Sequence, residues 1–261
     1  MIVANLVRRA RGMNLEAGGP HRDDDPHPMI SRNRVTGWTI NVPIHATCQP
    51  TKVCAATCYA ATGGPACPNN LEKQTRVWLK LEQDPEGAAA RIDRELTKVK
   101  ARFLRWNGLG DLTEGAVEAI RCLALRRPDL PIWVVTRKPL VAALLPDLPN
   151  VFVHLSVDRS SSSRLRVWLG MDNKPSRWFA SYQADRDEVV ELDALVGFSV
   201  VFRHNYRGTI EPAPSCPLNG SASIEGGCLA CGRCWSGDAV ALRDETALSW
   251  WADRTVCEER S

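Results

Sequence analysis

The residues best equipped for chemistry are cysteines, and they fall into two groups. The first lies in T-C-Q-P-T-K-V-C-A-A-T-C-Y-A, residues 47–60, where Cys48, Cys54 and Cys58 have the spacing Cys-x5-Cys-x3-Cys and Tyr59 follows the last. The second is Cys216-Pro217, then ten residues, then Cys228-x2-Cys231-x2-Cys234 with Trp235 behind it. Thiolates ligate zinc and iron–sulfur groups. A structural zinc site closes with four protein ligands, so a set of three leaves one metal position open to a small molecule. Cys67-Pro68 stands nine positions after Cys58 and would close that position as a fourth ligand. Whether three or four thiols act decides between an open, reactive centre and a closed one.

A disulfide reading of the ten cysteines fits poorly. The opening M-I-V-A-N-L-V-R-R-A-R-G has too short an apolar run for a secretory signal, and its arginines follow the run. A cytoplasmic setting is therefore expected, where clustered thiols stay reduced and more often bind metal. Cys122 and Cys257 stand alone and read as ordinary core or surface residues. The tight Cys228–Cys234 run with a remote Cys-Pro resembles bacterial ferredoxins, with the remote cysteine upstream instead of downstream. Gly226, Gly227 and Gly232 would let backbone N–H groups wrap the sulfurs. Zinc is the competitor at this second site.

The chain has 261 residues with 44% hydrophobic and 24% charged content, which is ordinary for a globular protein. Its formal charge of +3 does not by itself indicate nucleic-acid binding. No run of about 18 apolar residues is present, so no membrane span is expected. Residues 1–35, with G-G-P-H-R-D-D-D-P-H-P, read as an irregular segment. A strand is expected at W-T-I-N-V-P-I, leading into the first cysteines. One or two helices follow between Asn70 and Arg102, broken near Asp84-Pro85. Strands and helices then alternate: strands at 102–107, 131–137, 150–158, 177–183 and 198–205, and helices at 113–127, 139–146, 161–170 and 187–196. This predicts an α/β fold with a parallel sheet. A partial (β/α)6 barrel over 36–208 is favoured over a doubly wound sheet because no G-x-G-x-x-G follows the first strand. Residues 209–261 form a Cys-rich extension. Polar residues gather at the expected strand ends, where such folds carry their sites. Arg105, Arg137, Lys138, Arg159 and Arg203 add basic charge there, either to bind a phosphate-bearing partner or to offset thiolates.

Three cysteines on the loop after strand one, in a partial (β/α)6 barrel, resemble the radical S-adenosylmethionine (SAM) superfamily. There the usual spacing is C-x3-C-x2-C with an aromatic before the third cysteine; here the spacing is x5 then x3, and Tyr59 follows Cys58. The ending C-Y-A, the W-T-I-N-V-P-I strand and the later R-W-N-G-L-G-D-L make the stretch from about 38 to 235 similar to a phage-encoded group, the gene-product-88-like proteins. The resemblance implies a TIM-like partial barrel in which Cys48, Cys54 and Cys58 hold a [4Fe-4S] cluster with an iron open to SAM. It also implies that Asn107, Gly108, Gly110 and Asp111 face SAM's amino group, and that Ser156, Asp158 and Gln183 face its ribose and carboxylate. Cys216, Cys228, Cys231 and Cys234 would hold an auxiliary cluster that passes electrons. The activity implied is reductive SAM cleavage and hydrogen abstraction from an unknown substrate, a nucleotide being one candidate, with a ferredoxin- or flavodoxin-type electron donor, in the host cytoplasm. Two alternatives stand beside it: a non-enzymatic electron-transfer or structural protein with closed clusters, and a zinc-stabilised nucleic-acid-binding protein.

Overall fold

The computed structural model describes residues 27–33, 36–184, 197–203, 228 and 231–259. It begins with a hairpin in which β1 (Ile30–Asn33) runs antiparallel to β2 (Gly37–Asn41). Asn33 makes the turn, its Oδ1 accepting from the Thr36 N–H at 3.0 Å, and Gly37 takes φ +74°, which glycine adopts freely. The expectation of an irregular segment up to residue 35 is thus corrected at Ile30–Asn33. The cause is non-local: the Glu95 carboxylate accepts from the backbone N–H groups of Met29 (3.1 Å) and Ile30 (3.0 Å), which no local pattern announces.

Two short helices follow, α1 (Ile44–Thr47) and α2 (Lys52–Thr57), then α3 (Pro68–Gln83) and α4 (Pro85–Lys98). The first strand therefore ends before the expected V-P-I, because Pro43 opens α1. The long helical stretch breaks where Pro85 cannot continue α3, and Asp84 caps the new helix by accepting from Gly87 N–H at 2.9 Å. Alternation then runs β3 (Leu104–Leu109), α5 (Glu114–Arg126), β4 (Ile132–Thr136), α6 (Pro139–Ala142), β5 (Val151–Val157), α7 (Ser162–Leu169), β6 (Trp178–Ala184) and β7 (Val200–Arg203), with α8 (Asp238–Ala241) and α9 (Glu245–Glu259) at the end. The helix expected at 187–196, His204-Asn205, Cys216-Pro217 and Gly226-Gly227 lie outside the described residues.

Every strand pairs with the next in sequence, from β1 to β7, and β2 through β7 are parallel. Among the described residues strand order never reverses, so these strands have no doubly wound switch point. Among the described residues it is open: β1 and β7 are edges and do not pair with each other. The class is α/β, with a mostly parallel seven-stranded sheet.

Strand alternation divides this sheet into two faces. Trp106, Val134, Val153, Leu155, Trp178 and Ala180 pack with Ile92, Leu96, Ile120, Leu123, Leu165 and Trp168 in the main core under the helices. Their sequence neighbours, Arg105, Asn107, Trp133, Val135, His154, Phe179 and Gln183, turn to the opposite face. Part of that face is covered by the C-terminal segment. Trp235 stacks on Phe103, with ring centroids 3.9 Å apart and planes within 10°, and lies 6.1 Å from Trp133. Ala239 and Val240 pack with Trp133, Phe179 and Val200.

Candidate functional site

At the C-terminal ends of β3 to β6 a cavity of about 520 Å³ opens on the face away from the helices. Parallel sheets place their sites at this end. Cys48, Cys54 and Cys58 line it from the loop after β2, and Cys228, Cys231 and Cys234 line it from the C-terminal segment. The sheet side consists of Arg105, Asn107, Trp133, Val135, His154, Ser156 and Gln183.

The first cysteine loop is fastened to three strand ends. Thr51 caps α2 by accepting from the Cys54 N–H at 3.1 Å. The same hydroxyl donates to Asp158 Oδ2 at 2.6 Å, and the Arg137 guanidinium donates to that oxygen at 2.6 Å. Ser160 fills the other carboxylate oxygen through its N–H (3.0 Å) and hydroxyl (2.8 Å). Nearer Cys48, the Asp111 N–H donates to Thr47 Oγ1 at 3.0 Å. Beyond Cys58, the half-exposed Tyr59 turns its hydroxyl inward and donates to the Gly108 carbonyl at 2.5 Å. The loop thus rests on the ends of β3, β4 and β5, though its own local sequence is short and irregular.

Burial pushes the Cys48 thiol far above its ordinary range, and the charges of Asp111, Cys54 and Cys58 push the same way. Burial also raises Cys54, opposed by the adjacent Arg137 cation. Two thiols in a place that disfavours their anions, with Cys58 close beside them, suit a cationic group that supplies the missing positive charge. Among the described residues no three His, Cys, Asp or Glu side chains are grouped to hold a lone metal ion.

Asn107 sits at φ +61°, a left-handed conformation that asparagine tolerates better than most residues. Its Nδ2 donates to the Val135 carbonyl at 2.9 Å, while its buried Oδ1 has no hydrogen-bond partner among the described residues. An orphaned acceptor on a cavity wall is a place for a ligand N–H. Arg105 lies over the Trp133 ring at 4.9 Å and carries a buried Nε that also lacks a partner among the described residues. Asp111 is committed otherwise: its Oδ1 accepts from Thr136 Oγ1 (2.6 Å) and Leu112 N–H (2.7 Å), and its carboxylate takes the Arg137 N–H at 3.3 Å. Gly110 has φ +80°, and a Cβ there would lie 2.4 Å from the Val42 carbonyl. Gly110→Ala is therefore expected to lower stability by about 2 kcal/mol or more, read as a reduced urea midpoint.

His154 is fixed as one tautomer. Trp133 Nε1–H donates to its Nδ1 at 3.1 Å, so Nε2 carries the proton and faces Ser181 Oγ. Burial, with Arg105 and Arg137 nearby, lowers its pKa from 6.5 to about 3. Between those values the unfolded chain binds a proton that the folded chain refuses. This contribution to stability is complete above pH 6.5 and is lost as pH falls toward 3. His154→Gln, which keeps an acceptor and a donor, is expected to flatten that acid limb when urea unfolding is compared at about pH 7 and about pH 4.5.

Of the residues expected from sequence to hold a cofactor, Tyr59, Asn107, Gly108, Gly110, Asp111, Ser156 and Gln183 all line the cavity. Asp158 does not; it is wholly buried behind the cysteine loop. Cys216 is outside the described residues. Cys67 is exposed, heads α3 and does not line the cavity. Cys67→Ala is accordingly expected to leave metal content per chain unchanged. Lys138 turns away, its Nζ donating to the Leu112 carbonyl at 2.9 Å. Thr51, Trp133, His154 and Arg233 complete the site's surroundings without having drawn notice as functional in the sequence. The pattern V-F-V-H-L-S-V contains the signal for His154, since it shares a strand face with Ser156.

These features define an α/β protein with a half-enclosed, thiol-walled cavity at the C-terminal ends of a parallel sheet. The chain belongs to the gene product 88 family, whose profile matches residues 9–237 and so spans both cysteine groups. No curated protein and no solved structure shows detectable similarity to it. Among the described residues no helix is long and apolar enough to cross a membrane.

Proposed function

We propose that this is an iron–sulfur protein in which Cys48, Cys54 and Cys58 hold a [4Fe-4S] cluster with one iron left open for SAM. The observation that carries the reading is that these three thiols converge on one cavity at the strand ends while Cys67 stands outside it. A cluster of several irons takes one thiolate at each corner, so it does not require ligands grouped as tightly as a lone ion does. The sequential, mostly parallel sheet is the arrangement that a partial (β/α)6 barrel of radical-SAM type would use. Held by Cys48, Cys54 and Cys58, such a cluster would supply an electron for reductive cleavage of bound SAM, the chemistry that would lead to hydrogen abstraction from substrate.

The chain's own residues would serve this chemistry by placement. Asn107 Oδ1 would accept from an ammonium N–H, Tyr59 holds the Gly108 carbonyl in position, and Arg137 with Asp158 anchors the loop. Trp133 and Trp235 would keep water from the inner wall. An external electron donor of ferredoxin or flavodoxin type completes the scheme.

One observation favours a second reading. Cys228, Cys231 and Cys234 line the same cavity and could offer the first cluster a fourth thiolate, making it a closed redox or structural centre. Low-temperature EPR of anaerobically reconstituted, dithionite-reduced protein separates the two. A cluster signal that shifts on adding SAM supports the open iron. A signal indifferent to SAM rejects the radical mechanism in favour of the closed centre.

A further inference from the structure

We infer that the two cysteine triads serve a single chamber, so that the group held through Cys228, Cys231 and Cys234 faces the group held by Cys48, Cys54 and Cys58 across the space where substrate binds. The inference rests on the iron–sulfur reading above. The sequence expectation is an auxiliary cluster that passes electrons; the structure adds that both triads line one cavity.

The geometry begins with how the C-terminal segment reaches the sheet. Gly232 N–H donates to the Cys228 carbonyl at 2.9 Å, and the N–H groups of Trp235 and Ser236 both donate to the Gly232 carbonyl at 3.0 Å. Gly232, at φ +67°, allows this compact double turn, which brings Cys231 and Cys234 to the cavity wall. Trp235 then wedges between Phe103 and Trp133 on the face that the helices leave uncovered. Cys234 packs with the Trp133, Phe179 and Val200 cluster, which fixes the turn against β4, β6 and β7. The first triad is tied to the ends of β3, β4 and β5 through Tyr59, Thr51, Asp158 and Arg137.

Both triads border one space of about 520 Å³. A sphere of that volume is about 10 Å across, within the usual size of a small-molecule site. Two paramagnetic clusters on its walls would be close enough to broaden each other's magnetic resonance. The same cavity is lined by Arg105 over Trp133, its Nε without a partner among the described residues, and this would meet an acceptor-bearing molecule held there.

The test uses the full chain, reconstituted anaerobically with iron and sulfide and reduced with dithionite. Iron is counted and EPR spectra are compared for wild type, the double variant C54A/C58A and the double variant C231A/C234A. The expected result is about eight irons per wild-type chain and about four in each variant. Each variant should give a narrow signal, and the wild-type spectrum should be broadened beyond the sum of the two. A wild-type spectrum equal to that sum would overturn the shared chamber while leaving both clusters standing. About four irons in wild type, lost in either variant, would overturn it in favour of one cluster shared by both triads. Protein that takes up no iron would overturn the iron–sulfur reading and this inference together.

Discussion

Asp158→Ala is expected to lower stability by about 3–5 kcal/mol and to reduce iron uptake by the first cysteine triad, although Asp158 touches no thiol. The carboxylate has no solvent exposure, and it accepts at 2.6 Å from both the Arg137 guanidinium and the Thr51 hydroxyl. Its removal strands a largely buried guanidinium and frees the cap of α2 in one step. Breaking a buried pair costs more than the pair's net worth, because the remaining charge has neither water nor a partner. Asp158→Asn, which keeps an acceptor for Thr51 but not the charge, should fall between wild type and alanine. Urea unfolding of the apoprotein and iron counting after reconstitution measure the two effects separately. Unchanged values in both would show that the loop is held by something else.

The second large effect is of the opposite kind. Cys54→Ala and Cys58→Ala are each expected to abolish the iron of the first triad while changing apoprotein stability by no more than about 1 kcal/mol. Both thiols are only partly buried, and neither is in a disulfide. A ligand should cost occupancy and leave the fold intact; a core cysteine should do the reverse. Loss of stability with full iron retention would mean that these side chains pack and do not ligate. The contrast with Asp158 makes the pair of experiments informative, since one residue positions the loop and the others use it.

The sequence was most legible where local pattern and tertiary demand agree. Short Val-, Phe- and Trp-rich runs became β3 to β6 within a few residues, and Thr113 caps α5 as its position predicts, accepting from Ala116 N–H at 3.4 Å. Strand ends therefore marked much of the cavity in advance. What stayed hidden depends on contacts between distant residues. Strand β1 exists because Glu95 holds its entry, 65 positions away from Ile30. Thr51 looked like an unremarkable loop residue because its partner, Asp158, lies 107 positions on. Asp158 in turn read as a ligand-facing residue because strand ends usually carry them, whereas its oxygens are already filled by the chain itself. That the two cysteine groups border one cavity is likewise invisible to spacing, since it follows from Trp235 finding Phe103 and Trp133.

That last contact has a consequence for how the protein is made. The described strands all precede Trp235 and α8 in the chain, and domains can begin folding during synthesis. Until those residues arrive, Phe103 lacks the ring that stacks on it, and Trp133, Phe179 and Val200 lack the packing of Ala239 and Val240. Translation order thus makes the wall that carries Cys228, Cys231 and Cys234 the later-synthesised of the two thiol-bearing sides of the cavity.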